Sequence, residues 1–307
     1  MLRSLAVFSM QGRWQAAIAT ALLSLGTLIL PPLSYLVGGV IALCTLRMGP
    51  KEGVKVVVAT VVIFTLLAGL VLKQLTYSGL FLLLIWLPAL VISLVLGYTR
   101  SLAVSILTAG GLGIILVLGT YLFVPEPALW WQEMIEPFMA VLITQPGWQL
   151  SETDTQSLVL SLSEMMTGLM AAGLSFNVIL GLLIGRAWQA KLYHPGGFAT
   201  EFTQLTLGKP TALLTIILMI VTASPLGGDV AIVQSLLPVV LTIVALQGLS
   251  VVHAVVRKQQ KHHFWLVSVY ILLFIVLPQM LVLLAMIGVL EQWFNFRRNQ
   301  PERLNDE

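Results

Sequence analysis

The side chains best suited to binding or chemistry cluster in the segment 186–202. Its first half continues a helix, in which aromatic side chains suit the headgroup level and basic side chains suit phosphate. A Pro-Gly-Gly run ends that helix, and two phenylalanines four residues apart can dock a short second helix at the membrane surface. A re-entry loop without a ligand is the simpler alternative. The candidate ligand- or partner-binding residues are Arg186, Trp188, Gln189, Tyr193, Pro195, Gly196, Gly197, Phe198, Glu201 and Phe202.

A second set of polar residues lies inside apolar runs. An ionisable group at mid-membrane costs about 2.5–3.5 kcal/mol, which makes each such group a functional candidate. Amides there more often join helices than line a ligand site. Asp229, after a Gly-Gly turn, either holds a cation or amine or is a solvated turn residue. The other members of the set are Glu164, Asn177, Gln234, Gln247 and His253.

Signatures of common enzymes are missing from the chain. It has no His-Glu-x-x-His or Gly-x-Ser-x-Gly motif, and Gly208-Lys209 lacks the upstream glycine of a phosphate-binding loop. The single cysteine, Cys44, excludes an intrachain disulfide and a cysteine-based metal cluster. We therefore expect no enzyme activity, ATPase, metal or cofactor. An enzyme acting on a lipid headgroup through Arg186, His194 and Glu201 is the catalytic alternative.

The composition predicts a membrane protein. Hydrophobic residues make up 58% of the 307 residues and charged residues 9%, against roughly 25% charged in soluble domains. Apolar runs near the bilayer-spanning length of about 20 residues follow one another along the chain. We expect an all-α polytopic bundle of eight or nine spans, forming one integral membrane domain over 1–307. The spans are expected at about 14–30, 33–47, 53–72, 79–98, 101–123, 158–185, 210–225, 231–256 and 264–290.

Charge placement predicts the orientation of these spans. Cytoplasmic loops carry an excess of Lys and Arg. The interval 124–157 holds five acidic residues, three tryptophans and no basic residue, so we expect it outside, with an interfacial helix over 128–143 kinked at Pro137. Nine spans place the N-terminus in the cytoplasm but leave three tail arginines outside. Either the tail is an exception or one span between 210 and 290 is miscounted. These arginines are Arg297, Arg298 and Arg303.

The segment 186–202 also carries a family resemblance. Its pattern Arg-x-Trp-Gln-x-x-Leu-Tyr-x-Pro-Gly-Gly-Phe-x-x-Glu-Phe, with Trp-Phe-Asn-Phe-Arg-Arg at 293–298, resembles the YybS-like family of bacterial inner-membrane proteins. This implies a location in the bacterial inner (plasma) membrane, but no activity.

A second resemblance is at the level of the fold. Ala17 and Ala21, with the Gly-Pro turn at 49–50, are similar to features of the substrate-binding subunits of energy-coupling-factor transporters. In those subunits an alanine pair of this spacing meets the coupling subunit in the membrane. The resemblance therefore implies that Ala17 and Ala21 form a helix contact, which suits small residues four positions apart.

Two functions follow from these observations. The first is a transporter-like membrane protein, without its own ATPase, that binds a small or lipid-like ligand between its helices. Its partners are membrane lipid and other membrane subunits. The alternative is a non-catalytic scaffold that recruits partners through the cytoplasmic loop 186–209 and the C-terminal tail. Nucleic acid is a partner in neither.

Overall fold

The computed structural model describes residues 2–145, 150–224, 230–262 and 264–297. Within these ranges the regular structure is entirely helical, as the sequence predicts. The helices are α1 (Leu2–Ser9), α2 (Arg13–Thr27), α3 (Leu33–Met48), α4 (Pro50–Val71), α5 (Thr76–Thr99), α6 (Leu102–Phe123), α7 (Pro127–Ile143), α8 (Glu152–Tyr193), α9 (Gly197–Thr203), α10 (Lys209–Ala223), α11 (Ala231–Lys258), α12 (Phe264–Ile275) and α13 (Leu277–Phe294).

Six of the described helices are long and apolar enough to cross a membrane, namely α4, α5, α6, α8, α11 and α13. This number is lower than the eight or nine spans expected. Helices α2, α3 and α10 lie where spans are predicted, but they contain only 15 or 16 residues. That is short of the roughly 20 residues that match the hydrocarbon thickness.

The backbones of α3 and α8 cross in close contact. Gly38 and Gly181 lie at the crossing, where a Cβ built on Gly181 would stand 2.8 Å from the Gly38 Cα. Glycine is therefore needed on both helices for this approach, as in other small-residue helix contacts. Contacts follow in the same order along α3 and α8, so these helices run parallel. They join Ser34 to Asn177, Gly38 to Gly181, and Leu46 to Gln189.

The N-terminal helices pack around a buried tryptophan. Trp86 lies in a π-helical turn at Leu82–Trp86 of α5, is completely buried, and donates to the Ser24 Oγ of α2 (3.0 Å). Ala17 and Ala21 of α2 are also 0% exposed. The alanine pair thus contacts helices of its own chain. A second subunit could reach it only if these helices opened.

Helix α11 runs parallel to α13. Gln247 Nε2 donates to the Gly288 carbonyl. Further along both segments, Lys258 Nζ at the end of α11 donates to the carbonyl of Arg297, just after α13 (3.4 Å). A single helix crossing through 264–290 would run antiparallel to α11, but the structure has two helices there, α12 and α13. The chain turns back at Val276, whose φ of −125° and ψ of 55° interrupt the helix. Helices α12 and α13 form a hairpin that returns to the end at which α11 finishes.

The 42-residue helix α8 extends well beyond the other helices. At about 1.5 Å per residue it is roughly twice as long as the hydrocarbon core is thick. The expected helix at 128–143 is present as α7, with Pro137 inside it. Trp131 Nε1 in the first half of α7 donates to Thr167 Oγ1 of α8 (2.9 Å). Since only the eight residues 144–151 separate the end of α7 from the start of α8, α7 runs back along the extended part of α8.

The two ends of the bundle differ in charge. Helix α6 is antiparallel to α11, because Tyr121 meets Ser235 while Gly110 meets Ile243. Helix α8 is parallel to α11, because Gly168 of α8 meets Ser235, and Phe202, beyond the end of α8, meets Ser250. Helices α3, α8, α11 and α13 therefore finish at one end, which we call the basic end. It collects Arg47, Lys191, Arg257, Lys258 and Arg297. The acidic residues of α7 and of the start of α8 lie at the opposite, acidic end.

Candidate functional site

Three of the candidate polar side chains meet at the basic end. Arg186 Nε donates to Glu201 Oε2 (2.7 Å), and Arg186 Nη1 donates to Gln189 Oε1 (2.9 Å). Gln189 in turn donates to the Leu46 carbonyl at the end of α3 (3.4 Å). The arrangement ties α9 to α8 and α8 to α3. The two ionisable groups, Arg186 and Glu201, pair with each other, so the arrangement has a structural role.

The end of α8 is capped by a turn that needs glycine. Gly196 has φ +87°, a conformation that side chains with a Cβ rarely adopt, and Gly197 begins α9. Pro195 before them is exposed and cannot continue the helix. Tyr193, also exposed, receives the guanidinium of Arg47 over its ring at 4.1 Å, a cation–π contact.

The two phenylalanines pack inward, as a helix-docking pair. Phe198 and Phe202 rings lie 6.0 Å apart, and the buried Phe202 ring meets His253 of α11 edge-on at 5.4 Å. His253 Nε2 hydrogen bonds with the Tyr270 hydroxyl of α12 (3.2 Å). Trp188 points elsewhere: it is buried against Gly39 of α3. The aromatic residues of the motif therefore serve two separate contacts.

The connection after α9 is held by side chains of α11. Gln247 Oε1 accepts from the Leu207 amide (2.6 Å), and Ser250 Oγ donates to the Phe202 carbonyl (2.6 Å). Gln247 and Asn177 thus join segments of the chain, which confirms the structural interpretation of these amides. The role of Ser250 has no signal in the sequence, because a lone serine in an apolar helix is ordinary.

The C-terminal segment closes over this connection through Arg297. Its Nη1 and Nη2 donate to the Thr203 and Leu205 carbonyls (2.8 and 2.7 Å), and its Nε lies 3.3 Å from Glu291 Oε1. Glu291 Oε2 accepts from the Phe296 amide (2.8 Å). Burial lowers the pKa of Arg297 and Glu291 partly offsets this, but an arginine stays charged at any physiological pH. Neither residue of the pair was a sequence candidate.

A polar cavity of about 710 Å³ lies between α9, α11 and α13 at the basic end. Three cationic side chains and one carboxylate line it, together with threonine hydroxyls and amides. None of the candidate residues from the sequence lines this cavity, although other residues of α9 and of the following turn line it. Its lining residues are Thr200, Thr203, Gln204, Thr206, Ala254, Arg257, Lys258, Glu291, Asn295 and Arg297.

Some expected sites lie outside the described residues, namely Trp148, Asp229, Arg298 and Arg303. In the described part of the chain, no group of three or more His, Cys, Asp or Glu side chains is arranged to hold a metal ion. No protein-family model matches the chain, and no curated protein or solved structure matches it either. The family resemblances therefore stay predictions, and the function has to be argued from the geometry.

Proposed function

We propose that the chain is a transporter-like integral membrane protein that binds a small anionic ligand in the polar cavity at its basic end, without an ATPase of its own. The charge of the cavity carries the proposal. Glu291 is the only carboxylate among the described residues that line it, and it is paired with Arg297. Arg257 and Lys258 then leave the cavity with net positive charge. A carboxylate or phosphate group matches such an environment through charge-assisted hydrogen bonds.

The size and chemistry of the cavity fit a small molecule. The cavity is open over much of its boundary, and its volume of about 710 Å³ lies within the range of roughly 300–1,000 Å³ common for small-molecule sites. Thr200, Thr203 and Gln204 add neutral donors and acceptors on one wall, which can orient a ligand that the cations attract. Because Arg297 binds the carbonyls of Thr203 and Leu205, release of the C-terminal segment would widen access to this wall.

The proposed setting is the bacterial inner membrane, with the N-terminus and the basic end in the cytoplasm. The excess of Lys and Arg at this end supports that orientation. We propose eight crossings, formed by α2, α3, α4, α5, α6, α8, α10 and α11, followed by the α12–α13 hairpin. Helix α13 is long enough to cross, but in the hairpin it returns to the side from which α12 enters. With the hairpin returning to the basic end, Arg297 lies on the same side as Lys258. The conflict between the basic tail and a ninth span then disappears.

The scaffold alternative draws less support from the loop 186–209. Trp188 and Phe202 are buried inside the chain, and Tyr193 is engaged by Arg47. Three of the aromatic side chains that would recruit a partner thus already have partners within the chain. Membrane lipid and further membrane subunits remain the proposed partners of a transporter-like protein.

Ligand retention by the purified protein tests the proposal. The protein in lipid nanodiscs is equilibrated with a metabolite extract below about 1 kDa, washed, and its bound molecules are identified by mass spectrometry. We expect wild type to retain an anionic small molecule that Arg257→Glu loses, because the substitution reverses a cavity charge. Lys209→Glu is the control, since Lys209 is an exposed cation of the basic end outside the cavity. The proposal would be contradicted if Arg257→Glu retained the ligand as well as wild type, or if wild type retained no molecule.

A further inference from the structure

A second cavity lies at the basic end, on the side of α11 that faces α12. It measures about 350 Å³, and its walls are almost entirely apolar. Four valines of α11 form one wall, in two pairs spaced by four residues. The walls are Val251, Val252, Val255 and Val256 of α11, Trp265 of α12, Ile287 of α13 and Phe296 beyond it, with Lys261 from the α11–α12 turn.

We propose that this cavity binds one acyl chain of an anionic phospholipid, whose headgroup is held by Lys261. Among the described lining residues a water-soluble ligand would meet only two hydrogen-bonding side chains, Lys261 and the indole N–H of Trp265, whereas an acyl chain requires none. The site does not depend on the polar cavity, which lies on another face of α11.

The open side of the cavity faces the surroundings of the bundle. Helix α12 has no buried residue, and Trp265 is 57% exposed. In a membrane this exposed apolar helix lies against lipid, so a chain can enter sideways between α12 and α13 without leaving the bilayer. The cavity also lies at the helix ends, where headgroups are found, and tryptophan prefers this level.

The charge at the mouth selects the headgroup. Moving an acyl chain from the bilayer into an apolar cavity brings little gain, because lipid tails are as apolar as leucine. Preference must therefore come from the headgroup. Lys261 Nζ lies 5.1 Å from the centre of the Trp265 ring, and none of the described residues that line the cavity is a carboxylate. Basic pockets between membrane helices bind anionic headgroups, so a negatively charged phospholipid is favoured over a neutral one.

Native mass spectrometry with defined lipids tests this site. The full-length protein is exchanged into detergent with phosphatidylglycerol or phosphatidylcholine of the same chain length. We expect wild type to retain one phosphatidylglycerol at least about 5-fold more than phosphatidylcholine, a preference that one near-surface lysine can supply. Lys261→Ala should lose this preference. Lys191→Ala, an exposed lysine of the basic end away from the cavity, should keep it.

Filling the cavity separates specific binding from general lipid adhesion. Val252→Trp should abolish retention of the single lipid, and Ile287→Phe serves the same purpose if the first variant fails to fold. Equal retention of both lipids by wild type, an unchanged preference in Lys261→Ala, or full retention in a folded filled variant would each overturn the proposal. So would a dimer whose interface excludes lipid from the cavity.

Discussion

The contact between α3 and α8 allows a sharp test with two glycines of one helix. A Cβ on Gly181 would lie 2.8 Å from the Gly38 Cα and 3.1 Å from its carbonyl carbon, whereas Gly173 has no heavy atom within 4 Å. Ordinary van der Waals contact begins at 3.4 Å, so the added Cβ of Gly181→Ala would lie about 0.6 Å too close to the Gly38 Cα. The obstructing atoms are backbone, which cannot rotate away, and the two helices must separate.

The expected free energies differ in sign between the two sites. Overpacking of this kind costs about 1–3 kcal/mol, and the better helix propensity of alanine returns roughly 0.5–1 kcal/mol. Gly181→Ala should therefore lower the free energy of unfolding by up to roughly 2.5 kcal/mol. Gly173→Ala, with only the propensity effect, should raise it by up to about 1 kcal/mol.

Equilibrium unfolding in mixed dodecyl maltoside and SDS micelles measures both changes. Gly38→Ala provides a second approach to the same contact, since its Cβ would lie 3.0 Å from the Gly181 Cα. The double variant should be less than additive, because helices already separated by one Cβ accommodate the second more easily. Equal effects at 173 and 181, or a stabilised Gly181→Ala protein, would refute the close crossing of α3 and α8.

Three further substitutions test the basic end and the α7–α8 contact. Arg297→Gln removes two charge-assisted hydrogen bonds and leaves Glu291 buried without its partner, so we expect the free energy of unfolding to fall by about 3–5 kcal/mol. Adding Glu291→Gln should recover part of this loss. Additive effects of the two substitutions would contradict the pairing. Glu201→Gln breaks the ion pair to Arg186, in which both side chains are about a quarter exposed. We expect faster hydrogen exchange in α9 and a fall in the free energy of unfolding of less than about 1 kcal/mol. Unchanged exchange would contradict a role of this ion pair in holding α9 against α8. Trp131→Phe keeps an aromatic ring but loses the indole N–H that bonds to α8, which should cost about 1 kcal/mol and raise the protease sensitivity of α7. Unaltered cleavage would count against that contact.

Local signals in the sequence predicted most helices closely. Apolar runs bounded by Gly-Pro, Pro-Pro and basic clusters place seven of the nine expected helices within a few residues of their observed ends. The exceptions are 158–185, where α8 extends over Glu152–Tyr193, and 264–290, where two helices form. The turn at Gly49-Pro50 is one of the accurate predictions, since α4 begins at Pro50. The helix after 127 and the Pro-Gly-Gly stop before α9 are others. In each case the residue type itself dictates the backbone conformation.

Features that depend on tertiary contacts escaped prediction. The run 264–290 has uniform apolarity, so nothing local shows that Val276 ends one helix and starts a return. The partners of Arg297 are backbone carbonyls some 90 residues away in the chain. Because every residue has a carbonyl, the sequence does not show which one an arginine will bind. The sequence pattern indicates a small-residue contact at Ala17 and Ala21, but it gives no sign of the close crossing of α3 and α8 at Gly38 and Gly181.

The sidedness of the C-terminal segment tests the central claim, that α12 and α13 return to the basic end. In a background of Cys44→Ala, single cysteines are introduced by Asn295→Cys, by Gln260→Cys after α11, and by Thr153→Cys at the acidic end. All three native side chains are exposed. A membrane-impermeant maleimide is then applied to sealed inverted vesicles.

The return of the hairpin predicts that Asn295→Cys reacts together with Gln260→Cys, while Thr153→Cys stays protected until detergent is added. Labelling of Asn295→Cys together with Thr153→Cys instead would mean that 264–290 crosses the membrane once. In that case the Arg297 contacts, and with them the polar cavity at the basic end, would not exist.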